Sequence, residues 1–301
     1  MKIVISGGTG LVGKRLQKLF LKQHAELIIL TTGESKTDER GIKYVKYMDG
    51  EKPEHLLEGA DAFINLAGVS LNAGRWTDEQ KEKILQSRLD TTKEIIRILG
   101  ALKEKPPVYI NASAVGIYEP SESAIYTEKT ETHVTDFLSD VVTKWEAEAS
   151  RANELGIRTC FMRFGVILEY EDGALKTMML PYQLFVGGTI GSGTQWVSWV
   201  HAEDVARAIE HAMKCDQLSG PVNTVSPNAK RMREFGKTIG RTFNRPHYLP
   251  VPSFALKAAL GEKSILVLEG QFVVPEKLLA SNFEFKFASL ENALLDLYNK
   301  K

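Results

Sequence analysis

The segment Ile3-Val4-Ile5-Ser6-Gly7-Gly8-Thr9-Gly10-Leu11-Val12-Gly13 constrains this chain more than any other. A short β-branched run runs straight into three glycines at a spacing of three, and these open the helical pattern Lys14-Arg15-Leu16-Gln17-Lys18-Leu19-Phe20. The order strand, glycine turn, helix predicts the first unit of a parallel α/β sheet. It also predicts a seat for phosphate. Gly7 allows a tight turn off the strand, Gly10 lets a pyrophosphate approach the backbone, and Gly13 lets the helix lie close on the sheet. The free N–H groups and positive dipole end of the helix complete the seat, with Thr9, Leu11 and Val12 lining it.

The rest of the chain follows the same rhythm. Strand-like runs are expected at Lys2–Ser6, Glu26–Thr31, Tyr44–Tyr47, Ala62–Leu66, Val108–Ala112, Arg158–Phe164 and Val222–Val225. Helices are expected at Leu11–Leu21, Asp78–Leu102 and Phe137–Leu155, the last ending on Gly156 as a natural cap. Alternation of this kind predicts a doubly wound sheet covered on both faces. The rhythm breaks over residues 167–198, and from about residue 226 a proline-richer composition begins. We therefore expect a nucleotide-binding unit over residues 1–228, with a substrate-side insertion at about 167–198, and a smaller C-terminal lobe over 229–301.

With 301 residues and a formal net charge of zero, the chain is long enough for one large domain plus a lobe, and no global field favours nucleic acid or anionic membrane. No apolar run is long enough to span a bilayer, and the chain opens directly on a strand, so the expected location is the cytoplasm. Cys160 and Cys215 read as reduced packing residues, and the six histidines show no ligand spacing, so no metal is expected.

Cofactor choice normally sits at the tip of the second strand, where an acid would bind ribose hydroxyls. This chain reads Leu30-Thr31-Thr32-Gly33-Glu34-Ser35-Lys36, with no acid at the tip itself. Thr32 and Lys36 suit a 2′-phosphate, which favours NADP(H) over NAD(H) although Glu34 argues the other way. At the end of the fourth strand, Leu66, Ala67 and Gly68 are small enough to let a cofactor reach the backbone. At the end of the fifth, Ser113 stands where a hydroxyl would meet a substrate oxygen. Arg88 is a candidate phosphate partner, and Arg75, Trp76, Gln195, Trp196 and Trp199 are candidates for a substrate wall. Each of those tryptophans reads equally well as core. His201 reads as structural, at a helix start with Asp204 at or near the cap.

The chain resembles the extended short-chain dehydrogenase/reductase superfamily of NAD(P)-dependent epimerase/dehydratase type, and within it an atypical epimerase-like subgroup. The resemblance rests on the glycine turn, Asn65-Leu66-Ala67-Gly68, Arg75-Trp76-Thr77, Ser87-Arg88 with Thr91, and Ser113-Ala114-Val115-Gly116 with Tyr118. It continues through Asp172-Gly173-Ala174-Leu175, Gly187-Gly188-Thr189-Ile190-Gly191-Ser192-Gly193 with Gln195-Trp196, Trp199-Val200-His201, Gly220-Pro221-Val222-Asn223 and Leu268-Glu269-Gly270-Gln271. It implies a Rossmann fold with the subgroup's C-terminal segment, and a catalytic Ser, Tyr and Lys. Ser113 matches the serine and Lys144 the lysine, which would also hold the nicotinamide ribose. The position four residues before Lys144 holds Asp140 where the superfamily has tyrosine. Tyr118 is the nearest substitute phenol.

Two functions follow as expectations. One is an NADP(H)-dependent oxidoreductase or epimerase on a small polar, sugar-like substrate, with Ser113, Lys144 and Tyr118 at the reacting centre. The other is a non-catalytic dinucleotide-binding regulator or sensor. A homodimer is expected by analogy with the superfamily, without nucleic-acid or membrane partners.

Overall fold

The computed structural model describes residues 1–170 and 172–300. Eight strands form the main sheet: β1 (Lys2–Ser6), β2 (Glu26–Thr31), β3 (Lys36–Thr37), β4 (Lys43–Lys46), β5 (Ala62–Asn65), β6 (Val108–Ala114), β7 (Arg158–Phe164) and β8 (Gly220–Thr224). Their order across the sheet is β8-β7-β6-β5-β1-β2-β4-β3, parallel throughout except for β3 against β4. The chain winds outward from β1 through β2 to β4, then returns to the far side of β1 to lay down β5. The carboxyl ends of β1 and β5 therefore mark a topological switch point, where a crevice opens in such sheets.

Both faces are apolar, as parallel strands require. On one face Ile3, Ile5, Leu27, Ile29, Ile64, Ile110 and Met162 meet helix α1 (Leu11–Leu21) and a later helix, Ala202–Lys214. On the other, Val4, Ile28, Leu30, Phe63, Tyr109 and Phe161 meet α2 (Asp78–Ala101), with Ala149 from α3 (Phe137–Ser150). Thr77 caps α2, its side chain accepting from the Gln80 amide. Asp136 and Ser139 cap α3 reciprocally. The α-helix of α3 stops at Ser150, five residues before the expected end. Residues Arg151–Leu155 continue as a 3₁₀ turn, and Gly156 closes it at φ +75°.

The segment expected as an irregular insertion contains a helix, Gly173–Gln183, which begins where the Asp172 side chain accepts from the Gly173 amide. It shares a second core with Trp199, Phe235, Ile239, Leu290, Leu294 and Leu297, so the 167–198 stretch and the C-terminal part are packed together. Strand Phe272–Val273 pairs with Ile125–Tyr126, and Leu278 and Phe283 join the core beneath the sheet. The C-terminal stretch thus fastens onto both cores.

Candidate active site

The crevice at the switch point is built by close backbone approach. Gly7, at φ +69°, lies so near β5 that a Cβ there would stand 2.6 Å from the Leu66 carbonyl and 2.8 Å from the Ala67 amide nitrogen. A Cβ on Gly13 would lie 2.3 Å from the Gly8 carbonyl oxygen. These two glycines are required by the protein's own packing. Gly10 is different: a Cβ there would have only the Gly7 carbonyl oxygen, at 3.4 Å, as a neighbour. Gly10 is exposed and is the N-cap of α1, with no side chain capping the helix and no acid in its first turn. Thr9 is likewise exposed, and Leu11 half-buried. The turn therefore leaves helix N–H groups unclaimed by side chains, beside a space that a side chain would fill. This fits the pyrophosphate of a dinucleotide.

At the tip of β2, Thr32 and Lys36 are exposed. Lys36 lies on the edge strand β3, its ammonium 5.5 Å from the Tyr44 ring centroid. Arg40, further on, is already paired with Asp38 at 2.6 Å. Gly68 sits against Arg88: a Cβ on Gly68 would be 3.1 Å from the guanidinium carbon. Arg88 donates to the Val69 and Ile84 carbonyls and lies 5.1 Å from the Trp145 ring centroid. Among the described residues it has no carboxylate partner, and burial alone pushes its pKa down to about 10.

The face of the sheet under α2 and α3 carries a polar row at its carboxyl edge. Side chains two residues apart on a strand share a face, so the inward series on the successive strands reads Val4-Ser6, Phe63-Asn65, Tyr109-Asn111-Ser113 and Phe161-Arg163. Register aligns Ser6 with Asn65, Asn65 with Asn111, Ser113 with Arg163, and Arg163 with Asn223. Ser6 donates to Asn65 at 2.5 Å, and Asn65 donates to Asn111 at 2.8 Å and to Thr92 of α2 at 3.0 Å. Trp145 of α3 donates to the same threonine at 3.0 Å. This network fixes the floor and ties both covering helices to it.

Ser113 occupies the outer end of the row. Its Oγ donates to Glu146 Oε1 at 2.5 Å. Arg163 grips the same carboxylate from both sides, Nε to Oε1 at 2.9 Å and Nη2 to Oε2 at 2.8 Å. The pair is buried, with side-chain exposures of 5% for Arg163 and 12% for Glu146. Burial acts to lower the Arg163 pKa, but the hydrogen bonds and charge of Glu146, with Tyr118, outweigh it and raise it. The sequence reading gave no role to Glu146 or Arg163. The period-two switch from apolar to polar at the end of each strand was the signal for Arg163.

The remaining expected residues distribute differently. Lys144 is exposed on α3 and pairs with Asp140 at 2.7 Å, one turn away. Tyr118 is corrected from candidate acid/base to buried network residue. Its hydroxyl accepts from Arg163 Nη1 at 2.9 Å and lies 2.8 Å from Asn223 Oδ1 and 3.1 Å from the Thr127 carbonyl. Only 2% of the residue is exposed, and burial raises its pKa, so the phenol keeps its proton. The substrate wall is also redrawn. Trp199 is fully buried and donates to the Asn228 carbonyl, and Trp76 is buried and donates to the Leu71 carbonyl. Gln195 is buried and donates to the carbonyls of Ile190 and Val267. Trp196 lies between Phe272 and the Arg231 guanidinium, and Arg75 reaches the Ala258 and Ala259 carbonyls. These five hold loops and core together.

His201, not Asp204, caps the helix Ala202–Lys214, its Nδ1 accepting from the Glu203 amide. Asp204 is fully buried and accepts from the Lys286 and Phe287 amides. Folding also brings His201, Glu203 and Asp296 to mutual ligand spacing. Lys286 and Lys300 already neutralise Glu203, and Lys300 neutralises Asp296. With Nδ1 accepting, the proton of His201 is on Nε2, facing Asp296 at 3.2 Å. Nε2 is buried and makes no hydrogen bond there among the described residues.

Residues 3–223 match the model of the NAD dependent epimerase/dehydratase family. The chain belongs to this family. Residues 251–297 match a second model, the Domain of unknown function (DUF1731). The chain is similar to Epimerase family protein YfhF of Bacillus subtilis (strain 168), with 45% identity over 298 residues covering 99% of this chain and 98% of the relative. It is 42% identical over 297 residues to Epimerase family protein SH2119 of Staphylococcus haemolyticus, covering 98% of each. Among solved structures, it is similar to human epimerase family protein SDR39U1 (isoform2) with NADPH, with a TM-score of 0.89 and 30% identity over the whole of both chains. A nucleoside-diphosphate sugar epimerase from Corynebacterium glutamicum gives a TM-score of 0.79 at 29% identity, over 99% of this chain and 58% of that one. The fold is the NAD(P)-dependent dehydrogenase/epimerase fold, and among the described residues no helix is long and apolar enough to cross a membrane.

Proposed function

We propose that this epimerase-family chain is an NADP(H)-dependent oxidoreductase or epimerase acting on a small, polar, sugar-like substrate in the cytoplasm. The observation that carries the proposal is the open seat at Gly10 over the uncapped start of α1, in line with the buried polar row that ends in Ser113. Gly7, Thr9, Gly10, Leu11, Val12 and Gly13 would hold the pyrophosphate, and Leu66, Ala67 and Gly68 the cofactor's middle. Arg88 and the exposed Thr32 and Lys36 supply a cation and donors for phosphate, with no acid at the strand tip to favour a free ribose. The NADPH named with the human structure supports the same preference. When bound, NADP(H) supplies hydride transfer at a carbinol carbon. Ser113 orients the substrate oxygen, and Lys144 leaves Asp140 to hold the ribose, an exchange made easy because their exposed pair is worth little. Tyr118 is left out of this chemistry, because its hydroxyl is saturated within the protein.

One observation favours a second reading. The tyrosine position holds Asp140, and Asp140 pairs with the lysine it would be expected to work with. A dinucleotide-binding regulator would show that arrangement. Titration of the protein with NADPH and NADH, followed by nicotinamide fluorescence and calorimetry, tests both. Tighter NADPH binding, with turnover on polyols when NADP⁺ is supplied as hydride acceptor or on nucleotide sugars, is the expected result. Tight binding without turnover on any of them gives the regulator, tighter NADH binding overturns the cofactor choice, and binding of neither removes both readings.

A further inference from the structure

We propose that Glu146 makes Ser113 a hydrogen-bond acceptor toward the cleft, so that the substrate group seated on Ser113 is a hydroxyl and not a carbonyl oxygen. The inference rests on the reading of the cleft as a hydride-transfer site. A serine hydroxyl has one proton to give and two lone pairs to receive with. Ser113 commits its proton to Glu146 Oε1 at 2.5 Å. An ionised carboxylate has nothing to donate, so the direction of that bond is fixed while Glu146 is charged.

The charge is held in place from behind. Arg163 gives two parallel N–H bonds to the carboxylate, and its third contact, Nη1, goes to the Tyr118 hydroxyl at 2.9 Å. Tyr118 is in turn 2.8 Å from Asn223 Oδ1, and the Asn223 amide nitrogens donate to Glu128 and to the Val274 carbonyl. Each member is spoken for by the next, so neither Arg163 nor Glu146 is free to turn and release Ser113. Register enforces the geometry. Ser113 and Arg163 are partners across β6 and β7, and Glu146 comes down on both from α3.

Ser113 is therefore left with lone pairs alone for any further partner. A carbonyl oxygen placed against it would meet acceptor with acceptor, whereas a hydroxyl donates. A buried site built for one hydrogen-bond direction discriminates strongly against the other. Glu146 is on this account a positioning residue: it acts on the substrate only through Ser113. The specificity is for the alcohol as it binds, ahead of hydride transfer at its carbon.

Neutron diffraction from deuterium-exchanged crystals of the full chain, with and without NADPH, reads the proton directly. The expected result is a Ser113 deuteron on Oγ along the line to Glu146, in both crystals. In Glu146→Gln the amide oxygen is expected at the Oε1 position, because that one atom accepts from both Ser113 Oγ and Arg163 Nε, so the Ser113 deuteron is expected to stay on the same line. NADPH affinity of this variant is expected to stay within threefold of wild type. A wild-type deuteron pointing into the cleft overturns the inference and leaves the cofactor reading standing. A loss of NADPH affinity beyond threefold in Glu146→Gln also overturns it, because Glu146 would then act on the cofactor. Failure of wild type to bind NADPH instead refutes the proposed function, while the deuteron in the unliganded crystal still decides this point. The wild-type measurement decides even where the variant does not fold.

Discussion

Gly10→Ala separates the phosphate seat from the fold. At φ −74° and ψ 178° the residue is in extended backbone that alanine adopts freely. Its new methyl would meet one neighbour, the Gly7 carbonyl oxygen at 3.4 Å, which is ordinary contact. Loss of glycine at an N-cap costs up to about 1 kcal/mol, and the smaller entropy of the unfolded alanine chain returns about 0.4–1 kcal/mol. Stability should therefore stay within about 0.5 kcal/mol of wild type. Binding should not. The methyl occupies the space over the α1 amides, where a charge-assisted hydrogen bond contributes about 1.5–3 kcal/mol. Denying one such bond weakens NADPH binding roughly 10- to 150-fold. Gly13→Ala is the contrast, because its methyl would lie 2.3 Å from the Gly8 carbonyl oxygen. That variant should lose at least ~1–3 kcal/mol of stability through overpacking. Urea unfolding of the apo proteins gives the first quantity and fluorescence titration with NADPH the second. A Gly10→Ala protein with wild-type stability and wild-type NADPH affinity would refute the assignment of this turn as the pyrophosphate seat.

Three further outcomes are expected. Arg163→Leu leaves the Glu146 carboxylate buried without its cation and should cost about 3–5 kcal/mol in urea unfolding; a loss below 1 kcal/mol would mean that water reaches the pair. Tyr118→Phe strips the Arg163 and Asn223 contacts and should cost about 1–3 kcal/mol while NADPH affinity is unchanged, so a stable variant with lost turnover would restore the phenol as acid/base. Acid should also destabilise the fold through its histidines. His201, His211 and His247 all have pKa values lowered, burial first among the causes, so the folded state binds fewer protons than the unfolded chain. Their stabilisation is full above the unfolded value of about 6.5 and is lost as pH falls below it, at no more than ~1.4 kcal/mol per pH unit for each. Glu128, raised by burial, acts in the opposite direction, so the difference between wild type and His201→Asn isolates one histidine. Asparagine keeps the cap. Equal melting-temperature slopes for the two proteins from pH 7.5 to 5.5 would show that His201 does not contribute.

Much of the scaffold was legible because it depends on local pattern. The β-branched run before Gly7, the spacing Gly7-Gly10-Gly13 and the amphipathic helices are each written within a dozen residues, and β1, β2 and β7 have the expected bounds. The helix at Gly173–Gln183 was hidden by its internal Pro181 and by glycine-rich surroundings that read as loop. The tryptophans misled because an aromatic beside glycines suits both a cleft and a core. Only the tertiary fold shows Trp199 buried in one core with the Gly173–Gln183 segment and the C-terminal helix Leu290–Asn299. Tyr118 was assigned by nearness to Ser113 in sequence, but the 3₁₀ turn Val115–Ile117 intervenes and delivers the phenol to Asn223 of β8.

The exchange of tyrosine for aspartate looks like a loss when α3 is read as a list of spacings. On the helix it is a change of side. Asp140 and Lys144 are one turn apart and share the exposed face, where their pair is partly solvated. Glu146 follows Lys144 by two residues, which at 3.6 residues per turn is about 200° around the axis. It therefore faces the sheet, next to Trp145, which is tied to Thr92. The charged group that meets Ser113 thus comes from the inner face of the same helix that carries the expected lysine on its outer one. An inward carboxylate locked by Arg163 orients the proton of Ser113. On the proposed reading, the scaffold keeps a cofactor seat while Glu146 sets what Ser113 recognises.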